Sequence, residues 1–358
     1  MFTVAWTESK SACQENKNMP GVSIKDVAKL AGVSIATVSR TLNFPDMVYE
    51  NTRLRVEDAI RKTGYKPNSL AQNFRRGRTN VVTVVMPSIG DPFAAGVMRG
   101  IQGSAAKKGY AVFVEEKPLN SMTRDEFDSL LGSRQADGMI VIASIPSAGI
   151  KALTAENRPS LPIVIACETP PELASMPRVH IDNYSAAQDA TDLLIASGHT
   201  RIGMIYGLAE SPLTIARVNG FKAALEKANL GVRDDWLAEG YRTLAGGRGA
   251  ARELLDNDDR PTGLFCGNDD MALGCLHETR MMGLRVPDDL SVVGFDDIQF
   301  AEVADPPLTT VSQPVEEIGK RILDRLCGLI AGDDDPVRGA EIVSHTLVTR
   351  DSVAAPSQ

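Results

Sequence analysis

Five cysteines are spread over 358 residues, and no two form a C-x-x-C pair. The odd total and the mostly apolar neighbours of Cys13, Cys167, Cys266, Cys275 and Cys327 point to reduced, buried thiols rather than a disulfide framework. His180, His199, His277 and His345 have no metal-ligand spacing, so neither a metal nor another cofactor is expected. Gly32-Val33-Ser34 lacks the final glycine of a nucleophile elbow, no general base stands out, and no Walker phosphate loop is present. Gly246-Gly247-Arg248-Gly249 does not follow an apolar strand, as a dinucleotide loop must, and reads as a turn. An enzyme is therefore not expected. No stretch approaches the roughly 18 uninterrupted apolar residues of a membrane span, and residues 1–20 hold no apolar run of signal-peptide length. These absences argue for a cytoplasmic chain with no membrane partner. Residues 1–21, polar and patternless, read as a disordered tail or as a start-site artefact with Met19 as the true beginning.

The net charge of -8 conceals a division. Residues 22–80 carry 11 Lys+Arg against 5 Asp+Glu, net +6, whereas residues 81–358 carry 25 against 39, net -14. Phosphate backbones attract the first segment and repel the second, which makes nucleic acid the leading partner of the N-terminal segment alone.

Hydrophobic periodicity divides the chain in the same place. Ile24, Val27, Ala28 and Ala31 recur at helical spacing, Gly32 breaks the run, and a second helix starts at Ser34. A third runs from about Glu50 to Thr63, with Gly64 placed for a left-handed cap. Residues 22–68 are thus predicted as a small helical domain, with a short helix and linker over residues 69–80. Beyond Asn80, short apolar runs alternate with helix-length amphipathic segments, which calls for parallel sheets covered on both faces. A break at Val179-His180-Ile181-Asp182 divides this region into two Rossmann-like lobes facing across a cleft. The predicted first lobe comprises about 81–180 and 313–338, the second about 182–310 and 341–352. The fold class is α/β, with an N-terminal all-α helix-turn-helix domain and a two-lobed domain like type I periplasmic binding proteins.

A helix, a short glycine-containing turn and a second helix form the unit that lays its second helix in the DNA major groove. The stretch Ile24-Lys25-Asp26-Val27-Ala28-Lys29-Leu30-Ala31-Gly32-Val33-Ser34-Ile35-Ala36-Thr37-Val38-Ser39-Arg40-Thr41-Leu42-Asn43 closely resembles the LacI/GalR family of regulators. The resemblance runs from Ser23 to about Asp351 and includes Tyr65-Lys66-Pro67-Asn68, Asn268-Asp269-Asp270, Val293-Gly294-Phe295-Asp296-Asp297 and Pro307-Leu308-Thr309-Thr310. Asp91-Pro92-Phe93, Val179-His180-Ile181-Asp182-Asn183 and Ser211-Pro212-Leu213 look most like its cytidine-repressor branch.

Several residue roles follow from that resemblance. Ile35, Ala36 and Arg40 match the base-reading positions; Arg40 can donate twice to guanine, while Ile35 and Ala36 offer apolar contact to thymine methyls. Ser23, Ser34, Thr37, Ser39, Asn43 and Asn68 would contact phosphate or sugar and set register. Residues 69–76 align with a hinge helix that enters the minor groove; Phe74 stands where the family has a Leu wedge, and Arg75 beside it supplies charge. Tyr49 stands where Ser usually caps the third helix.

In the acidic region the resemblance implies a small-molecule effector, a nucleoside or sugar, between the lobes. Its candidate ligands are Asp91, Phe93, Glu168, Arg217, Asn268, Asp296 and Gln313, since mixed donors and acceptors beside an aromatic suit a polyhydroxylated ring. Cys167-Glu168 replaces the Asp-Arg of several sugar-binding relatives, and Ala94 replaces a second Phe. The reading is a repressor bound as a homodimer to double-stranded, pseudopalindromic operator DNA. A dimer is expected because the chain stops at Gln358 without the heptad helix of tetrameric relatives. The alternative weighed is a solute-binding protein of the same fold serving transport.

Overall fold

The computed structural model describes residues 22–65, 78–117, 122–132, 136–142, 147–155, 161–168, 170–256, 258–333 and 339–356. Two compact units divide the chain, Met1–Arg78 and Thr79–Gln358. In the first, helices α1 (Ile24–Ala31), α2 (Ile35–Asn43) and α3 (Glu50–Thr63) enclose a core of Val27, Ala28, Ala31, Val38, Val56 and Ala59. Gly32, at φ 64°, ends α1 with its N–H directed to the carbonyls of Ala28 and Lys29. That left-handed step, which a Cβ would strain, lets the chain reverse in time for Ser34 to cap α2. Ser34 Oγ accepts the amide of Thr37 at 3.1 Å. Gly64, at φ 66°, closes α3 in the same way. The start of α3 has no such help, because Tyr49 provides no side-chain cap.

The second unit holds two six-stranded sheets. The first contains β1 (Val81–Met86), β2 (Ala111–Glu116), β3 (Gly138–Ile142), β4 (Ile163–Ala166), β5 (Arg178–Ile181) and β11 (Ala340–Val343), in the order β11-β5-β4-β3-β1-β2. The second contains β6 (Ile202–Tyr206), β7 (Leu237–Glu239), β8 (Gly263–Cys266), β9 (Ser291–Asp296), β10 (Thr309–Ser312) and β12 (Thr346–Val348), in the order β12-β10-β9-β8-β6-β7. Every pairing is parallel except that of β12 with β10. The unbroken burial along β3, β4 and β8 is what helices on both faces of a parallel sheet impose.

Helices α4 (Pro92–Lys108), α5 (Arg124–Gly132), α6 (Ser147–Leu153) and α11 (Val315–Ala331) belong with the first sheet. Helices α7 (Asn183–Ala196), α8 (Pro212–Lys227), α9 (Leu244–Leu255) and α10 (Asp269–Met281) belong with the second. Gly100 and Gly319 mark the crossing of α4 and α11. A Cβ at Gly100 would lie 2.0 Å from the Glu316 carbonyl oxygen, and one at Gly319 would lie 2.1 Å from that of Val97.

Three expectations are corrected. Val179–Ile181 is not merely a break but part of β5, whose end feeds the crossover to α7. Glu341–Val343, expected in the second lobe, pair with β5 of the first as part of β11. The glycine run at Gly246–Gly249 is not a turn; it lies inside α9. Its glycines serve packing. A Cβ at Gly247 would fall 2.3 Å from the Met271 carbonyl oxygen, and one at Gly274 of α10 would fall 2.2 Å from that of Leu244. Thr243 caps this helix by accepting the amide of Gly246 at 2.9 Å, so two helices approach backbone to backbone where sequence alone suggests a loop.

Candidate nucleic-acid interface and effector cleft

Packing of Val38 into the small core turns Ile35, Ala36 and Arg40 to solvent on α2. Ile35 is 45% exposed, an unusual position for a large aliphatic side chain with a core close by. The Arg40 side chain is exposed and has no hydrogen bond or ion pair among the described residues. By contrast, Arg53 pairs with Glu57, and Arg61 and Lys62 pair with Asp58 along α3. Uncompensated charge in this unit therefore includes the face of α2.

Ser34 and Thr37 share a 2.9 Å hydrogen bond at the start of α2. Thr37 and Ser39 are half-buried, and Ser34 is exposed. Ser23 is engaged locally: its amide and hydroxyl both donate to Asp26 Oδ2, at 2.9 and 2.7 Å. Those bonds hold the Asp26 carboxyl below the usual carboxylate range. Asn43 is the last residue of α2. Asn68, Phe74 and Arg75 lie outside the described residues.

Between the lobes lies a cavity of about 180 Å³. Asp91, Phe93, Glu168, Arg217, Asp296 and Gln313 line it, together with Asn183, Arg242 and Cys167 and the apolar Pro87, Ala94, Ile142, Ala166, Leu208 and Leu213. Most stand at or just beyond the carboxyl ends of strands or at helix starts, where open α/β sheets bind ligands. Asn268 does not line this cavity. Its Oδ1 caps α10 by accepting the amide of Met271 at 3.0 Å, and its Nδ2 donates to the Arg242 carbonyl at 3.4 Å.

Arg217 is the fixed centre of the site. Its Nε donates to Asn183 Oδ1 at 2.9 Å, its Nη1 donates to the Gly267 carbonyl, and its guanidinium lies 3.6 Å over the Phe295 ring. Its Nη2 is 3.8 Å from Asp296 Oδ1. Burial lowers the Arg217 pKa to about 10, against the pull of the Asp296 charge. Burial likewise raises the Asp296 carboxyl to about 6, opposed by Arg217 and Arg242. Gln313 Nε2 donates to Asp296 Oδ1 at 2.7 Å. The Cys167 thiol is pushed up to about 12, chiefly by burial, so it is no thiolate nucleophile at neutral pH.

Glu168 joins the lobes. It follows β4 of the first lobe, is 3% exposed, and accepts a 2.7 Å hydrogen bond from Ser211, the cap of α8 in the second lobe. Arg242 Nη1 stands 3.7 Å from its other oxygen. Sequence reasoning passed over Arg242 and Asn183. Arg242 follows β7, a three-residue strand too short to stand out, and Tyr241 and Arg242 both have positive φ, 54° and 59°. Asn183 enters the sequence reading only as the last residue of a motif that resembles the cytidine-repressor branch, not for its amide. The lining set therefore combines acidic, cationic, amide and aromatic groups, able to hold a polar ligand in a fixed orientation.

Comparison with known proteins agrees with both units. Residues 23–68 match the family described as bacterial regulatory proteins, lacI family, and residues 191–353 match the periplasmic binding protein-like domain. The HTH-type transcriptional repressor CytR of Escherichia coli (strain K12) is 40% identical over 344 residues, covering 95% of this chain and 98% of that protein. The crystal structure of the lac repressor dimer bound to operator and the anti-inducer ONPF is similar with a TM-score of 0.82 at 26% identity, covering 93% of this chain and 99% of that one. The complex of the transcriptional regulator CelR with cellobiose gives a TM-score of 0.70 at 30% identity, covering 92% and 99%. No helix among the described residues is long and apolar enough to cross a membrane. Likeness that runs through the helical unit and the two-lobed unit alike makes this chain a member of the lacI family of bacterial regulatory proteins.

Proposed function

We propose that the chain is a cytoplasmic transcriptional repressor that binds a pseudopalindromic operator as a homodimer and is controlled by a nucleoside or sugar held between its lobes. The observation that carries this reading is the exposed face of α2, where Ile35, Ala36 and Arg40, whose side chain has no partner among the described residues, are presented by a helix whose other side is core. On this reading Arg40 donates to guanine, Ile35 and Ala36 touch thymine methyls, and Ser34 and Thr37 meet the backbone at the start of α2. Ser23 contributes by holding that end of α1 through Asp26. Asn43 and Ser39 are assigned to the backbone as well. Asn68, Phe74 and Arg75 keep the roles that the family resemblance implies, a backbone contact and a minor-groove wedge with its adjoining charge.

In the cleft, Asp91, Phe93, Glu168, Arg217, Asp296 and Gln313 are the effector ligands, joined by Asn183 and Arg242. Asn268 supports them by capping α10. The effector changes the closure of the lobes, and thereby the stability of the DNA-bound state, which is a coupling between two sites. A regulator rather than an enzyme is the reading in keeping with its relatives, and a transport role would leave the net +6 helical unit without a purpose.

Selection of bound duplexes from a random library tests the DNA reading. An inverted repeat should be enriched, and its affinity should fall steeply with salt, because the counterions that binding releases from the DNA gain less entropy as the salt concentration rises. Recovery of sequences without any preference would refute it.

A further inference from the structure

The chain passes from the helical unit to the lobes at Arg78-Thr79, and just beyond that point a carboxylate from a distant segment grips it. Asp137 lies 58 positions along from Thr79 and immediately before β3. Its Oδ1 accepts the amide of Thr79 at 2.6 Å and the Thr79 hydroxyl at 2.9 Å, and its Oδ2 accepts the amide of Asn80 at 2.9 Å. Asn80, at φ 53°, is in the left-handed region, which asparagine enters more readily than most residues. That step turns two successive amides toward one anion, the concave arrangement in which a backbone holds a negative group. The Thr79 hydroxyl also accepts the amide of Val81 at 3.2 Å, and the Asp137 amide donates back to the Val81 carbonyl at 2.8 Å.

The parts fastened in this way are stiff. β1 starts at Val81, and Val82 pairs with Gly138, so Asp137 closes the near ends of two neighbouring strands in the middle of the first sheet. Their far ends reach the cleft, where Pro87, just after β1, and Ile142, the last residue of β3, line the cavity. Gly138 is held in turn by α11, since a Cβ there would fall 2.8 Å from Leu326 Cδ1. The end of the linker is thus tied to buried strands that run through the first lobe to the cavity. On the repressor reading, two helical units must reach two half-sites at once, and the gain from the second contact depends on how narrowly their attachment limits their reach. Each residue released from a fixed place regains backbone freedom worth about five-fold or more in an equilibrium constant, which paired binding must remove again.

We infer that Asp137 is a positioning residue for operator binding: it fastens the linker to the central strands of the first lobe, so that the lobe, and not a slack tether, sets where each helical unit can reach. It acts through Thr79 and Asn80 and touches no DNA. This rests on the reading of the chain as a homodimer on a two-fold operator.

Fluorescence anisotropy of the full-length protein on two duplexes provides the test, one carrying the selected inverted repeat and one in which a single arm is scrambled. Asp137→Ala should weaken binding to the first by at least about five-fold, the freedom of one residue, and leave binding to the second nearly unchanged. Thr79→Val deletes one of the three bonds to Asp137 and is the milder change, so it keeps the test open should Asp137→Ala fold poorly. It should move the ratio of the two affinities in the same direction, and Thr79→Ser, which keeps the hydroxyl, should leave that ratio where it is. Hydrogen exchange should quicken at residues 79 and 80 in Asp137→Ala while the later amides of β1 stay protected. Equal losses on both duplexes would make Asp137 a merely structural residue and overturn the inference. An unchanged ratio in Asp137→Ala with exchange quickened at those residues would overturn it too. If the unaltered protein binds both duplexes alike, the homodimer reading falls and takes this inference with it.

Discussion

Replacement of Arg40 by Ala separates base reading from general attraction to DNA. The Arg40 side chain is exposed and has no partner among the described residues, so the helical unit loses no packing or internal hydrogen bond. The stability cost is confined to its place in the last turn of α2, where a cation opposing the helix dipole is worth about 0.3–1 kcal/mol. A bidentate guanine contact is worth about 1–3 kcal/mol of discrimination, and a dimer on a two-fold site makes it twice. The loss on the selected duplex is therefore about 2–6 kcal/mol, or roughly 30-fold to 10⁴-fold, at 1.4 kcal/mol per factor of ten. Binding to a scrambled duplex should change little. Fluorescence anisotropy on both duplexes at several salt concentrations measures the two affinities and the salt slope together, and circular dichroism confirms that the helices persist. Equal losses on both duplexes, with the slope reduced by about one per subunit, would make Arg40 a phosphate contact and refute the assignment.

Three further outcomes follow from the geometry. Because burial raises the Asp296 carboxyl to about 6 from its ordinary 3.8, protonation on that group favours the folded unit. Its contribution, about 3 kcal/mol at full extent, is present below pH 3.8 and lost as pH rises through 6. The difference in urea midpoint between the unaltered protein and Asp296→Asn should therefore change across pH 4–6.5, and a constant difference would contradict the buried charge. Gly319→Ala places a Cβ 2.1 Å from the Val97 carbonyl oxygen and forces α4 and α11 apart, a loss of about 1–3 kcal/mol visible as a lower Tm. Tyr49→Ser supplies the missing cap of α3, since Tyr49 is 91% exposed and removing it breaks no core contact. The gain is about 0.5–2 kcal/mol, read as slower hydrogen exchange in the first turns of α3.

Where sequence reasoning reached the structure, a local rule with a strong period was at work. Gly32 and Ser34 mark the turn between α1 and α2 because a left-handed step and an N-cap are each properties of one residue and its neighbours. Unbroken apolar runs such as Ile163–Ala166 announce buried parallel strands for the same reason. The failures involve contacts between distant segments. Gly246–Gly249 looks like a turn in isolation, and only the backbone of α10 against it explains why glycines sit within a helix. β5, β7, β11 and β12 have three or four residues each, too few for a period to emerge, and their edge or crossover positions decide their existence.

The cleft shows the same contrast at the level of single side chains. The family resemblance was enough to propose Asp91, Glu168, Arg217 and Asp296, but it did not distinguish Asn268, whose amide is occupied as a helix cap, from Asn183, which lines the cavity and holds Arg217. Both are asparagines near a helix start, and their difference lies in what faces them from elsewhere in the chain.

The amino-acid order by itself determined the division into a cationic helical unit and an anionic α/β unit, together with the face that α2 turns outward, because charge, caps and periodicity act over a few residues. Only the tertiary structure decided which polar groups meet in the cleft. Residues such as Glu168 and Ser211, 43 positions apart, acquire a shared function only when the folded lobes hold them within hydrogen-bonding distance.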